Sequence, residues 1–157
     1  MSPALVAVEN VSKTYTKGAT QIRAVDGVSL SVASGESLAI VGRSGSGKST
    51  LLSLIGCIDV PTTGRVTFKG EPVASLGDRG RSRLRNRSIG FVFQSFHLIP
   101  ELTVAGNVET PLLYSDVPES EWPGLVDRAL GAVGLSHRAT HTPSELSGGE
   151  AQRAAIA

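Results

Sequence analysis

Val28, Leu30 and Val32 recur at every second position, the period of a strand with one buried face. The run Ser37–Val41 is apolar without alternation and stops at Gly42, which predicts a buried parallel strand. After a Gly/Ser-rich segment, Leu51, Leu52, Ile55 and Ile58 fall at helical spacing, so the expected order is strand, glycine loop, helix. Val66 and Phe68 alternate between Gly64 and Gly70, a further strand bounded by turns. Another apolar run, Ile89–Phe93, ends at Gln94. From there the period lengthens. Val104, Val108 and Leu112 share one helical face behind Thr103, an N-cap residue type. The stretch Glu119–Val133 carries Trp122, Val126, Ala129, Leu130 and Val133 on one side. Pro123 is tolerable there only in the first turn, and Gly134 suits the residue just past the helix. The chain thus reads as α/β, β-rich to about Gln94 and helical afterwards.

Composition narrows the class. With 157 residues, 40% hydrophobic and 18% charged, the chain has the makings of one globular domain with a real core. A net charge of +1 argues against a protein built to grip nucleic acid, which needs a basic excess. Cys57 is the only cysteine, so no intramolecular disulfide can form and a reducing compartment is expected. No apolar run is long enough to span a bilayer, and Met1–Asn10 lacks the blocks of a signal peptide. The expectation is a soluble, cytoplasmic chain unless it docks on a membrane partner.

The segment Gly42-Arg43-Ser44-Gly45-Ser46-Gly47-Lys48-Ser49 fits G-x-x-x-x-G-K-[ST], the phosphate loop. A polyphosphate carries several closely spaced charges. Glycines let successive amides turn toward them without a Cβ in the way, and the following helix adds the positive end of its dipole. Lys48 would supply a mobile cation to the β- and γ-phosphates and Ser49 a hydroxyl oxygen to Mg²⁺, with Thr50 closing the segment. ATP with Mg²⁺ is the expected ligand. A second constellation is Leu146-Ser147-Gly148-Gly149-Glu150. Ser147-x-x-Glu150 is a capping box for a helix reaching Ala157, and the two glycines leave bare amides at its start, which makes a second anion site.

In this combination the sequence resembles an ATP-binding cassette (ABC) ATPase of a transporter. The phosphate loop is Gly42–Ser49, the Q-loop matches Gln94 in Phe91-Val-Phe-Gln94, and the signature motif matches Leu146–Glu150. Tyr15 in Val11-Ser-Lys-Thr-Tyr15 takes the position of the adenine-stacking aromatic. The strings Ile55-Gly-Cys-Ile-Asp59 and Glu145–Arg153 are most similar to the lipoprotein-release and macrolide-export branch. The resemblance implies a P-loop NTPase core with an antiparallel β subdomain in residues 1–94, a helical subdomain in 95–146, and the signature with its helix in 147–157. It further implies that Gln94 touches Mg²⁺ and the attacking water. Ser147, Gly148 and Gly149 would press on the γ-phosphate held by a second cassette, most simply a second copy of this chain. The partners implied are that cassette and an integral-membrane permease docking around residues 95–113, with the protein peripheral on the cytoplasmic face of the membrane.

The family's Walker B strand, its Mg²⁺-holding Asp, catalytic Glu and switch His have no counterpart within residues 1–157, and Ala154–Ala157 carries no helix-stop residue. The expectation is an N-terminal fragment of an ABC domain that binds nucleotide but does not sustain turnover alone. A DNA-repair or chromosome-structure ABC ATPase shares the signature. It would need a long coiled coil between Gln94 and Ser147, where no sustained heptads occur. A non-hydrolysing nucleotide-binding regulator is the other alternative. The alternating Arg79, Arg81, Arg83, Arg85 and Arg87 read as a solvated helix face, without the interleaved aromatics of a nucleic-acid surface. His137-x-x-x-His141 has a metal-site spacing but falls in a loop before Pro143.

Overall fold

The alternating first third forms a long hairpin in the computed structural model, which describes residues 4–157. Strands β1 (Ala4–Lys17) and β2 (Thr20–Ala33) pair antiparallel, with Val8 opposite Leu30 and Val11 opposite Val28. The other edge of β1 receives β3 (Thr63–Phe68), again antiparallel, and the short β4 (Glu71–Pro72) completes the sheet order β2-β1-β3-β4. The register breaks near Asn10, whose φ is +47°. Gly64 passes so close to this irregularity that a Cβ there would lie 2.3 Å from the Asn10 carbonyl oxygen, a contact only glycine avoids.

The chain divides into a first unit ending at Ile89 and a second, Gly90–Ala157. In the first, the inward positions Val6, Val8, Val11, Val25, Val66 and Phe68 meet Leu51 and Leu54 from helix α1 (Lys48–Ile55) in one core. Helix α2 (Gly77–Ser88) holds the five alternating arginines and has no fully buried residue. It is not the wholly solvated face expected: Leu84 packs against the first core, Arg81 is only 16% exposed and Arg85 donates to the Cys57 carbonyl at 2.8 Å. One expected element is absent. Ser37–Val41 forms no strand, and Leu38 and Val41 remain 48% and 88% exposed. A parallel strand exists only through ladder bonds to its neighbours, and the sheet described is wholly antiparallel and pairs none of these residues.

The second unit is helical: α3 (Val104–Glu109), α4 (Trp122–Ala132) and α5 (Gly148–Ile156). The Thr103 hydroxyl accepts from the Gly106 amide at 3.1 Å and opens α3 as its residue type predicts. Leu112 falls just outside α3, in the 3-10 turn Thr110–Tyr114. Pro123 lies in the first turn of α4. The end of α4 is a Schellman closure. Gly134 takes φ +70°, the Leu135 amide reaches back to the Leu130 carbonyl at 2.8 Å, and both leucines are buried together with Val104, Val126 and Ala154. Among the described residues no helix is long and apolar enough to cross a membrane.

Candidate functional site

The phosphate-loop segment turns directly into α1. Gly47 is the N-cap, with φ +85°, and a Cβ on it would lie 2.0 Å from the Ala24 carbonyl oxygen of β2. Only glycine satisfies both the left-handed conformation and that approach. No side chain caps the helix and no acidic residue occupies its first turn. The first backbone bond into it runs from the Leu51 amide to the Gly47 carbonyl, 2.8 Å, so the amides of Lys48, Ser49 and Thr50 have no helical acceptor. Among the described residues no side-chain cap and no first-turn carboxylate offsets their partial positive charge. Lys48 folds back across the loop, donating from Nζ to the carbonyls of Gly42 (2.9 Å) and Arg43 (2.6 Å), with Ser46 Oγ at 3.5 Å. Among the described residues its ammonium is held by neutral oxygens and paired with no carboxylate, so an arriving anion gives it a stronger partner. Arg43, Ser44, Gly45, Ser46 and Ser49 are exposed, as is Gly42. A cleft of about 320 Å³ opens between Ala24–Asp26 of β2, Ile40 and Ser46–Lys48. The loop thus turns into α1 without the strand expected to feed it.

Tyr15, near the end of β1, is 41% exposed. Its hydroxyl donates to Asp59 Oδ2 at 3.0 Å. Lys13 Nζ pairs with Asp59 Oδ1 at 2.7 Å, donates to the Val60 carbonyl at 2.8 Å, and lies 5.1 Å from the centre of the Tyr15 ring. Burial works to raise the Asp59 pKa. The bonds from Lys13, the Val60 amide and Tyr15 outweigh it and hold the carboxyl below its ordinary value. The Tyr15 phenol is pushed up by burial and by donating to Asp59, while a bond with Thr50 works the other way. The structure thus brings Tyr15 and Thr50, at the start of α1, into one cluster.

Gln94, Ser147, Gly148 and Gly149 belong to the second unit and are placed within it. Gln94 is exposed in a turn that follows Phe91 and Phe93, whose ring centroids lie 4.5 Å apart. Phe93 also stacks on His97 at 4.6 Å. Ser147 is the N-cap of α5 in a complete capping box. Its Oγ accepts from the Glu150 amide at 3.3 Å, and Glu150 Oε2 accepts from the Ser147 amide at 2.9 Å and hydroxyl at 2.7 Å. Arg138 Nε donates to Glu150 Oε1 at 3.0 Å. The Ser147 amide above all, then its hydroxyl and Arg138, draw the Glu150 pKa down to about 2. Gly148 and Gly149 are exposed at the helix start. Three participants escaped the sequence reading: Lys13, Asp59 and Arg138. Asp59 stood in a string read only for its family branch, and its pairing with Lys13 spans 46 positions, which no local pattern reveals.

Comparison with known proteins places these features in a wider set. The model of the ABC transporter family matches residues 25–157. The lipoprotein-releasing system ATP-binding protein LolD of Geobacter metallireducens is 51% identical over 98% of this chain. Its counterpart in Xanthomonas campestris pv. campestris is 50% identical over 98%. The chain spans 68% and 64% of the length of these two relatives. Among solved structures, the dimeric post-hydrolysis state of the ATP-binding cassette MJ0796 bound to ADP and Pi superposes with TM-score 0.87 at 42% identity, covering 96% of this chain and 67% of that one. The structure of cbiO1 from Clostridium perfringens, part of the ABC transporter complex cbiONQ, gives TM-score 0.77 at 31% identity over 98% of this chain and 59% of its own.

Proposed function

This chain belongs to the ABC transporter family, and from that premise we propose that it is the part of a transporter's ATP-binding subunit that grips Mg-ATP. The observation that carries the reading is the Lys48 ammonium, bonded to neutral oxygens and folded over a glycine loop at a helix start with no acidic residue in its first turn. An incoming polyphosphate replaces the carbonyls of Gly42 and Arg43 as partners of Lys48 and meets the first-turn amides of α1. Both exchanges trade neutral contacts for charge-assisted ones. The donor set suits Mg²⁺, because Ser49 places an exposed hydroxyl oxygen, a hard ligand, in the same turn. Held there by Ser49, Mg²⁺ would supply charge neutralisation to the bound phosphates. Tyr15 offers a partly exposed ring to adenine.

Two further assignments complete the proposal. Gln94 orients the attacking water, and Ser147, Gly148 and Gly149 meet the γ-phosphate of ATP held by a second cassette. The dimeric state of the MJ0796 cassette supports the pairing. The name of the LolD relatives supports a lipoprotein-releasing permease as the membrane partner, with this protein peripheral on the cytoplasmic face. ATP closes the pair of cassettes and hydrolysis reopens it, moving the partner's helices. The test is Lys48→Ala in the intact protein. Retention of labelled ATP is expected to fall by more than ~10-fold, the worth of one charge-assisted contact. Undiminished retention overturns the reading.

A further inference from the structure

The turn that ends α1 sits directly against the end of β1. Cys57 takes φ +57°, and the amides of Ile58 and Asp59 both return to the Ser53 carbonyl at 2.9 and 3.2 Å, which fixes Asp59 on the helix that Lys48 begins. From there the Asp59 carboxylate divides its two oxygens. Oδ1 takes the Lys13 ammonium and the Val60 amide, each at 2.7 Å, and Oδ2 takes the Tyr15 hydroxyl. The side chains of Lys13 and Asp59 are only 13% and 29% exposed, so water and salt screen the pair less than a surface ion pair. A tyrosine at a strand end, with one exposed ring, otherwise samples several rotamers. Here the far end of the ring is tied to Asp59, while the Lys13 ammonium lies over the ring, 5.1 Å from its centroid.

We propose that Asp59, clamped by Lys13, is a positioning residue for nucleotide binding, fixing the Tyr15 ring relative to the phosphate loop through the rigid body of α1. One helix carries the phosphate-gripping Lys48 at its start and ends in the turn holding Asp59, so the two ends of the nucleotide site are gauged by a single element. The ring meets the base already ordered, which lowers the entropic cost of stacking. This rests on the assignment of Tyr15 to the base, and the experiment separates the two.

Dissociation constants are measured for Mg-ATP and for Mg-tripolyphosphate, which lacks the base, on the intact protein and its variants. Asp59→Ala is expected to weaken ATP binding ~3- to 10-fold, the cost of ordering one free side chain on binding, and to leave tripolyphosphate unchanged. Tyr15→Phe, which keeps the ring and loses its bonds to both Asp59 and Thr50, is expected to weaken ATP binding at least as much. The double variant should be no weaker than Tyr15→Phe alone. Asp59→Asn, which keeps an acceptor for the hydroxyl, should fall between wild type and Asp59→Ala. If Tyr15→Ala weakens ATP binding while Asp59→Ala does not, positioning is refuted and stacking stands. If Tyr15→Ala has no effect, the stacking assignment fails and takes this proposal with it. Equal losses for ATP and tripolyphosphate in Asp59→Ala would make Asp59 a support of the fold, which also refutes the proposal.

Discussion

Gly47 carries two demands at once, a φ of +85° and the closeness of the Ala24 carbonyl, whereas Gly45 carries only the first, with φ +78° and open space where a Cβ would go. The pair therefore separates conformational strain from collision. Gly45→Ala is expected to cost about 1 kcal/mol, the penalty of a left-handed alanine. Gly47→Ala must also push β2 or the start of α1 aside, and is expected to cost at least ~1 kcal/mol more and to weaken ATP retention with it. Urea denaturation of both variants checks the order. Equal costs would mean that the approach of β2 contributes nothing. The glycine spacing was legible in the sequence because it is local chemistry. The reason Gly47 in particular admits no substitute was not, because Ala24 comes from a strand whose approach no motif encodes.

At the scale of single elements, the ends were easier to read than the middles. Thr103, Pro123, Gly134 and Ser147 all occupy the terminal positions their residue types favour, since capping is decided within a few residues. Ser37–Val41 shows the opposite case. Its apolar run promised a buried strand, yet a strand is a property of its neighbours, and the described sheet gives it none. The cap of α5 yields two predictions. Ser147→Ala removes the acceptor for the Glu150 amide and is expected to cost about 1 kcal/mol. Glu150 supplies the pH dependence. Its pKa falls from 4.5 to about 2 in the folded chain, so its contribution is present above 4.5 and drains away as pH falls toward 2. Melting curves across that window should therefore show a steeper loss of stability in the wild type than in Glu150→Gln. Parallel pH profiles would show that the capping carboxylate contributes nothing to stability.

For the whole molecule, the organising fact is that two hydrophobic cores share no residue. Val6, Val8, Val11, Leu51, Leu54 and their neighbours serve the first unit, and Val104, Val126, Leu130, Leu135 and Ala154 the second. The sequence pattern shifts its apolar period from two residues to the helical one near Gln94, but two separate cores were not legible in it. It could not foretell that α1 packs into the sheet's core, because Leu51 and Leu54 meet Val8 and Val66 only through the folded topology. Stability should accordingly be held in two parcels. Leu54 and Leu130 are 0% and 1% exposed, and truncating either to alanine leaves a cavity expected to cost ~2 to 5 kcal/mol. If each core is its own cooperative unit, Leu54→Ala speeds amide exchange in β1, β2 and β3 and leaves α4 protected, while Leu130→Ala does the reverse. Exchange that quickens everywhere in both variants would show instead that the chain opens as one unit. The nucleotide site would then share its stability with the signature helix.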